Sequence, residues 1–112
     1  MKPISPHYPI TATAHILGAR WTLQIIDHLR EPRRFCELQS LIEGINPRTL
    51  SQRLKFLELA GLLVHESAEM NPSYAVYRLT EEGVDLLPII DHMISWAEKW
   101  HLSIPYDDTQ VV

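Results

Sequence analysis

Few folds accommodate the segment from Arg34 to Gly61. Phe35, Leu38, Leu41 and Ile42 recur at helical spacing over about residues 34–42, and Gly44 follows them. Asn46 is a good helix N-cap, since its side-chain oxygen accepts an orphan backbone N–H, and Pro47 suits the first helical position, where no N–H is needed. Leu50, Leu54 and Leu57 then return at four- and three-residue steps and mark one buried stripe, which Gly61 closes. The two helices are joined only by Glu43-Gly44-Ile45-Asn46, the short connection that a helix-turn-helix requires.

The flanking residues extend this pattern. Pro3, Pro6 and Pro9 punctuate an N-terminal arm over residues 1–10, where no regular element is expected. A short helix is predicted from Thr11 to Leu17, stopping at Gly18. A second, from Trp21 to Arg30, sets Trp21, Ile25, Ile26 and Leu29 on one face and stops before Pro32. Beyond Gly61 the period changes. Leu62–Glu66 and Ala75–Leu79 read as two strands, and Ser67–Tyr74, with Asn71 and Pro72, supplies the turn of a loose hairpin. Thr80-Glu81-Glu82 caps a last long helix running to about Trp100, with Pro88 kinking it or tightening its start. The fold expected is mainly α with a small β-hairpin (α+β): a winged helix-turn-helix domain over residues 11–101, followed by an acidic tail over 102–112.

A chain of 112 residues fits one domain. Its net charge of −4 would argue against contact with phosphate if the charge were evenly spread. It is not: from Arg20 to Ala60 seven basic residues face five acids, and the remainder holds three against nine. The N-terminus lacks the apolar core of a secretory signal, and the apolar run Leu86–Ile90, broken by Pro88, is far too short to span a bilayer. The single cysteine, Cys36, forms no internal disulfide and suits a reducing compartment, so a cytoplasmic location without membrane contact is expected.

With the leucine stripe facing inward, Arg48, Gln52 and Lys55 lie opposite it, and Thr49, Ser51 and Arg53 lie on the flanks. Any soluble amphipathic helix has a polar outer face. These residues, however, are groove-reading types in the first half of a helix that follows a tight turn and precedes a hairpin, which points to double-stranded DNA. Arg33 and Arg34, just before the third helix, are placed to clasp phosphate. The hairpin, with His65, Glu66, Glu69 and Asn71, is neutral to acidic and promises little phosphate affinity. Phe56 and Leu59 are expected to point outward, against the arm or a partner.

The last helix carries more apolar residues than one docking stripe needs. Leu86, Ile89, Met93, Trp96 and Trp100 form a second face that requires a cover, and a homodimer built with the first helix and the arm supplies it. Two-fold symmetry would present paired recognition helices about 34–36 Å apart, matching a palindromic operator.

Other chemistries fit less well. Cys36 is expected to pack within the third helix rather than to sense. The six histidines form no metal-ligand spacing, and adjacent Asp27-His28 and Asp91-His92 diverge on a helix, so no metal is expected. No phosphate-binding glycine loop, nucleophile elbow or paired carboxylate site appears, so neither enzyme activity nor a cofactor is expected. The alternative to a DNA-reading regulator is a winged-helix module that docks protein and binds DNA weakly or not at all.

Together these residues resemble the HxlR family of winged helix-turn-helix regulators. Leu17-Gly18-Ala19-Arg20-Trp21 is similar to the family's I-G-G-K-W, and Arg34-Phe35-Cys36-Glu37-Leu38 to R-F-x-E-L. Leu50, Leu54 and Leu57 lead into Gly61-Leu62, and Tyr77-Arg78-Leu79-Thr80-Glu81-Glu82-Gly83 is similar to Y-x-L-T-x-x-G, with Trp96 or Trp100 near the terminal tryptophan. The resemblance covers Tyr8 to about Trp100. It implies a homodimer built by the first and last helices, with the fourth helix in the major groove. Two positions depart from the family pattern: Tyr8 replaces the cysteine of a Cys-Pro pair through which some members sense oxidants, and His65 replaces the usual wing arginine. The first removes that sensing chemistry and the second implies a weak wing contact.

Overall fold

The computed structural model describes residues 9–68 and 71–104. Helices α1 (Pro9–Leu17), α2 (Thr22–His28), α3 (Phe35–Leu41) and α4 (Pro47–Leu59) lead into strands β2 (Leu63–Ala68) and β3 (Asn71–Leu79), with a two-residue strand β1 (Arg33–Arg34) before α3. Helices α5 (Glu81–Val84) and α6 (Leu87–Lys99) close the chain. The result is the expected winged helix-turn-helix.

Helix α4 follows its sequence signals closely. Thr49 N–H donates to Asn46 Oδ1 at 2.8 Å, and Pro47 occupies the first turn. At the far end Gly61 has φ +83°, while its N–H donates to Glu58 O and that of Leu62 to Leu57 O, both at 3.0 Å. This is a Schellman stop, and the left-handed residue at its hinge favours glycine. Gly44, at φ +87°, serves the same need in the α3–α4 turn. Leu50, Leu54 and Leu57 are fully buried with Ile25, Ile26 and Leu29 of the α2 region, Leu38, Ile42, Ile45, Leu62, Leu63 and Ile90. The core therefore lies where α2, α3 and α4 meet, capped by the base of the hairpin and by α6.

Several expectations need correction. Helix α1 starts at Pro9, inside the segment assigned to the arm, because proline's preset φ suits a helix start. The hairpin strands are longer than predicted and absorb most of the segment read as a turn. Pro72 is tolerated because β1 pairs with β3 only at Arg33↔Tyr77 and Arg34↔Val76, so near the tip β3 is bonded on one side only. β1 itself, which makes the sheet three-stranded in the order β1-β3-β2, is too short to show any alternation. Leu41 is exposed rather than part of the α3 core stripe.

The closing helix is two helices. Thr80 Oγ1 caps α5 by accepting from Gly83 N–H at 3.2 Å, and Pro88 begins the first turn of α6, where it has no N–H to continue the α5 ladder. Gly83 is wedged at this joint: a Cβ there would lie 2.2 Å from Leu62 O and 3.1 Å from side-chain atoms of Leu79. Gly83→Ala is therefore expected to cost about 1–3 kcal/mol through forced displacement of backbone, measurable by urea denaturation.

Candidate nucleic-acid interface

Helix α4 presents Arg48, Ser51, Gln52 and Lys55 fully to solvent, with Thr49 and Arg53 half-buried on its shoulders. What separates these side chains is whether they are already engaged. Arg53 lies over the Phe56 ring at 5.2 Å. Arg20 lies over Trp21 at 4.4 Å, and Lys99 over Trp100 at 5.4 Å. Arg30 bridges α2 to α6 by donating to Asp27 at 2.8 Å and Asp91 at 2.6 Å. Arg33 Nε donates to His28 O at 3.0 Å and its guanidinium lies 3.8 Å from Glu31. Arg34 sits 3.6 Å from Glu37, and Arg78 pairs with Glu66. Among the described residues, Arg48 and Lys55 are the only arginine or lysine side chains that hold no such partner. Both project from the outer face of α4.

Arg33 and Arg34, assigned to phosphate on sequence grounds, thus lie in a strand and are tied locally. Glu37 also accepts the Arg34 backbone N–H at 2.8 Å. That bond, followed by the neighbouring arginine charges, holds the Glu37 carboxyl below the usual carboxylate range. Glu37 is lowered, so its charge and the cap it makes on α3 persist above the ordinary carboxylate pKa and are lost as pH falls through the depressed value.

The hairpin offers little free positive charge. His65 Nδ1 lies 2.8 Å from Glu58 Oε2, and its ring sits 5.3 Å from Tyr77. Burial, and then the nearby Glu58 charge, push the Tyr77 hydroxyl above its ordinary pKa. Glu66 is engaged by Arg78. Glu69 and the side chain of Asn71 lie outside the described residues.

Two side chains differ from expectation. Phe56 is not outward-facing: it is half-buried, packed against the core with Arg53 over its ring. Leu59, by contrast, is 80% exposed as anticipated. Cys36 is exposed rather than packed, since the inward positions of α3 are taken by Leu38 and the half-buried Phe35.

Of the proposed dimer face, Ile89, Met93, Trp96 and Trp100 are exposed, the two tryptophans by 60% and 62%. Leu86 is instead half-buried against the home core, because it lies in the α5–α6 joint. Sequence periodicity did not single out Leu102 and Ile104, which follow α6 outside any regular element and are 50% and 72% exposed. A cleft of about 210 Å³ runs between α1 and α6, lined by Thr13, Ile16, Leu86, Ile89 and Met93 among others. Among the described residues no group of histidine, cysteine and carboxylate side chains could hold a metal ion, and no helix is long and apolar enough to cross a membrane.

Known proteins share this arrangement. The HTH-type transcriptional regulator BH0655 of Halalkalibacterium halodurans is 37% identical over 93 residues, covering 81% of this chain and 82% of that protein. The reduced form of the transcriptional regulator YodB from Bacillus subtilis matches with a TM-score of 0.74 at 30% identity, covering 94% of this chain and all of that one. The redox regulator HypR in its reduced form matches with a TM-score of 0.77 at 30% identity, covering 81% and 91% of the two chains. The profile of the HxlR-like helix-turn-helix family spans residues 16–104, from α1 to just beyond α6. Matched over most of its length in both sequence and fold, the chain belongs to the HxlR-like helix-turn-helix family.

Proposed function

We propose that this protein is a DNA-binding transcription regulator that acts as a cytoplasmic homodimer and lays α4 in the major groove of a palindromic operator. The observation that carries this reading is the coincidence of the two unpartnered cations, Arg48 and Lys55, on the outer face of the second helix of a helix-turn-helix. Arg48, Ser51 and Gln52 face the groove, while Thr49, Arg53 and Lys55 flank the backbone. Arg33 and Arg34 serve as secondary phosphate contacts. Their carboxylate partners Glu31 and Glu37 are substantially exposed, where ion pairs contribute little, so they can be exchanged for phosphate. The DNA-binding unit, first set at residues 11–101, takes in the start of α1 at Pro9 and is followed by the acidic tail over 102–112.

The dimer reading rests on Ile89, Met93, Trp96 and Trp100, large apolar side chains exposed at helical spacing along α6, with Leu86 at their margin. Trp96→Asp is expected to convert a dimer into a monomer in sedimentation at micromolar concentration, because the charge would have to be buried unpaired in the interface. A wild-type protein that already sediments as a monomer would remove this face from consideration.

Amide chemical-shift mapping during titration with a short duplex at low salt tests the groove assignment. Shifts should concentrate on residues 47–55 and 33–37. Shifts confined to α5 and α6, or absent, would instead favour a protein-docking module.

A further inference from the structure

We propose that Arg48 and Gln52 read a guanine and an adenine lying about two base steps apart in each operator half-site. The inference rests on the reading of α4 as the DNA-facing helix and specifies what that helix recognises. Arg48 and Gln52 are four residues apart, both exposed, and neither has a side-chain hydrogen bond among the described residues. They therefore stand one above the other on the same face of α4, separated along its axis by about 6 Å. A base step rises about 3.4 Å along a strand, so the two side chains address positions about two steps apart.

The chemistry of each side chain then selects its base. A guanidinium has donors only, and the major-groove edge offering two adjacent acceptors is guanine, through O6 and N7. A carboxamide has one donor and one acceptor, which matches N7 and the N6 amino group of adenine. Other exposed groups do not compete for this role. Ser51 is short. Lys55 is a flexible point charge three residues beyond Gln52 and suits a phosphate. Arg53 is held over Phe56. The hairpin cannot substitute, since His65 is engaged by Glu58 and Arg78 by Glu66. Base discrimination is therefore concentrated on one turn of α4.

Selection from a library of random-sequence duplexes, using the full chain and the variants Arg48→Ala and Gln52→Ala, tests this. Circular dichroism checks that both variants fold, as two exposed positions should allow. Wild type should enrich half-sites with a guanine and an adenine about two steps apart. Replacing either base should weaken wild-type binding about ten- to hundredfold. Each variant should lose discrimination at its own base only, Arg48→Ala at guanine and Gln52→Ala at adenine. Enriched half-sites whose base preferences survive both substitutions would overturn this assignment while leaving the DNA-binding reading intact. Uniform weakening by Arg48→Ala with unchanged preferences would also overturn it and make Arg48 a phosphate contact. Absence of retained DNA at low salt, for wild type as well as the variants, would overturn the underlying reading itself.

Discussion

The double variant Arg48→Ala/Lys55→Ala is expected to lose operator affinity by about a thousandfold or more, with its fold unchanged. A well-made base contact is worth ~1–3 kcal/mol, and a two-fold dimer forfeits each contact twice. The loss is large because no other described cation stands unengaged on the outer face of α4: Arg53 lies over Phe56, and Arg33 and Arg34 lie outside the helix and supply only secondary phosphate contacts. Arg53→Ala is the informative contrast. It removes a cation of the same helix, but one lying over Phe56, so it should cost stability more than binding. Lys55→Ala alone should also reduce the log–log salt slope of binding by about 1 per protomer, the signature of one lost phosphate contact. Anisotropy titrations at several salt concentrations resolve these effects, and unchanged affinity in the double variant would remove the outer face of α4 from the interface.

Leu54→Ala is expected to destabilise the domain by about 2–5 kcal/mol, a cost set by lost burial and the cavity left behind. Leu54 is 1% exposed and sits at the middle of the α4 stripe, between Leu50 and Leu57. A small domain has only ~5–15 kcal/mol of net stability, so this one truncation consumes a large share. Leu59→Ala, two residues beyond Leu57 on the same helix but 80% exposed, should change stability by no more than about 0.5 kcal/mol. Urea unfolding of the two variants side by side checks the orientation of α4, and comparable losses would mean that the stripe is misplaced.

That orientation was the most legible feature of the chain, because cap, proline, leucine period and terminal glycine all agree over residues 46–61. Where such signals overlap, local chemistry leaves one answer. Strand β1 was illegible for the opposite reason: Arg33 and Arg34 have no pattern of their own and become a strand only because β3 passes beside them. The division of the closing helix is half-visible: Pro88 marks a break in the sequence, but the close approach of Gly83 to Leu62 O at the joint is a tertiary contact. Phe56 is likewise half-buried by tertiary contacts with the core that a helical wheel set on the leucine stripe does not contain.

The interface divides along similar lines. The residue types and their face on α4 could be read from spacing alone. Which cations are already engaged could not, because Arg30 reaches Asp91 across 61 positions of sequence and Arg33 bonds a backbone carbonyl. Only the folded chain reduces a band of seven basic residues to two unpartnered ones.

We propose that α4 binds DNA through these unpartnered cations. Fluorescence anisotropy of labelled DNA from upstream of the protein's own gene, at several salt concentrations and against unrelated DNA, tests it most directly. Tighter binding to the upstream DNA is predicted, with a log–log salt slope at least as steep as about −1.8, the contribution of the Lys55 phosphate contact from two protomers. Absence of binding to either DNA at low salt would contradict it.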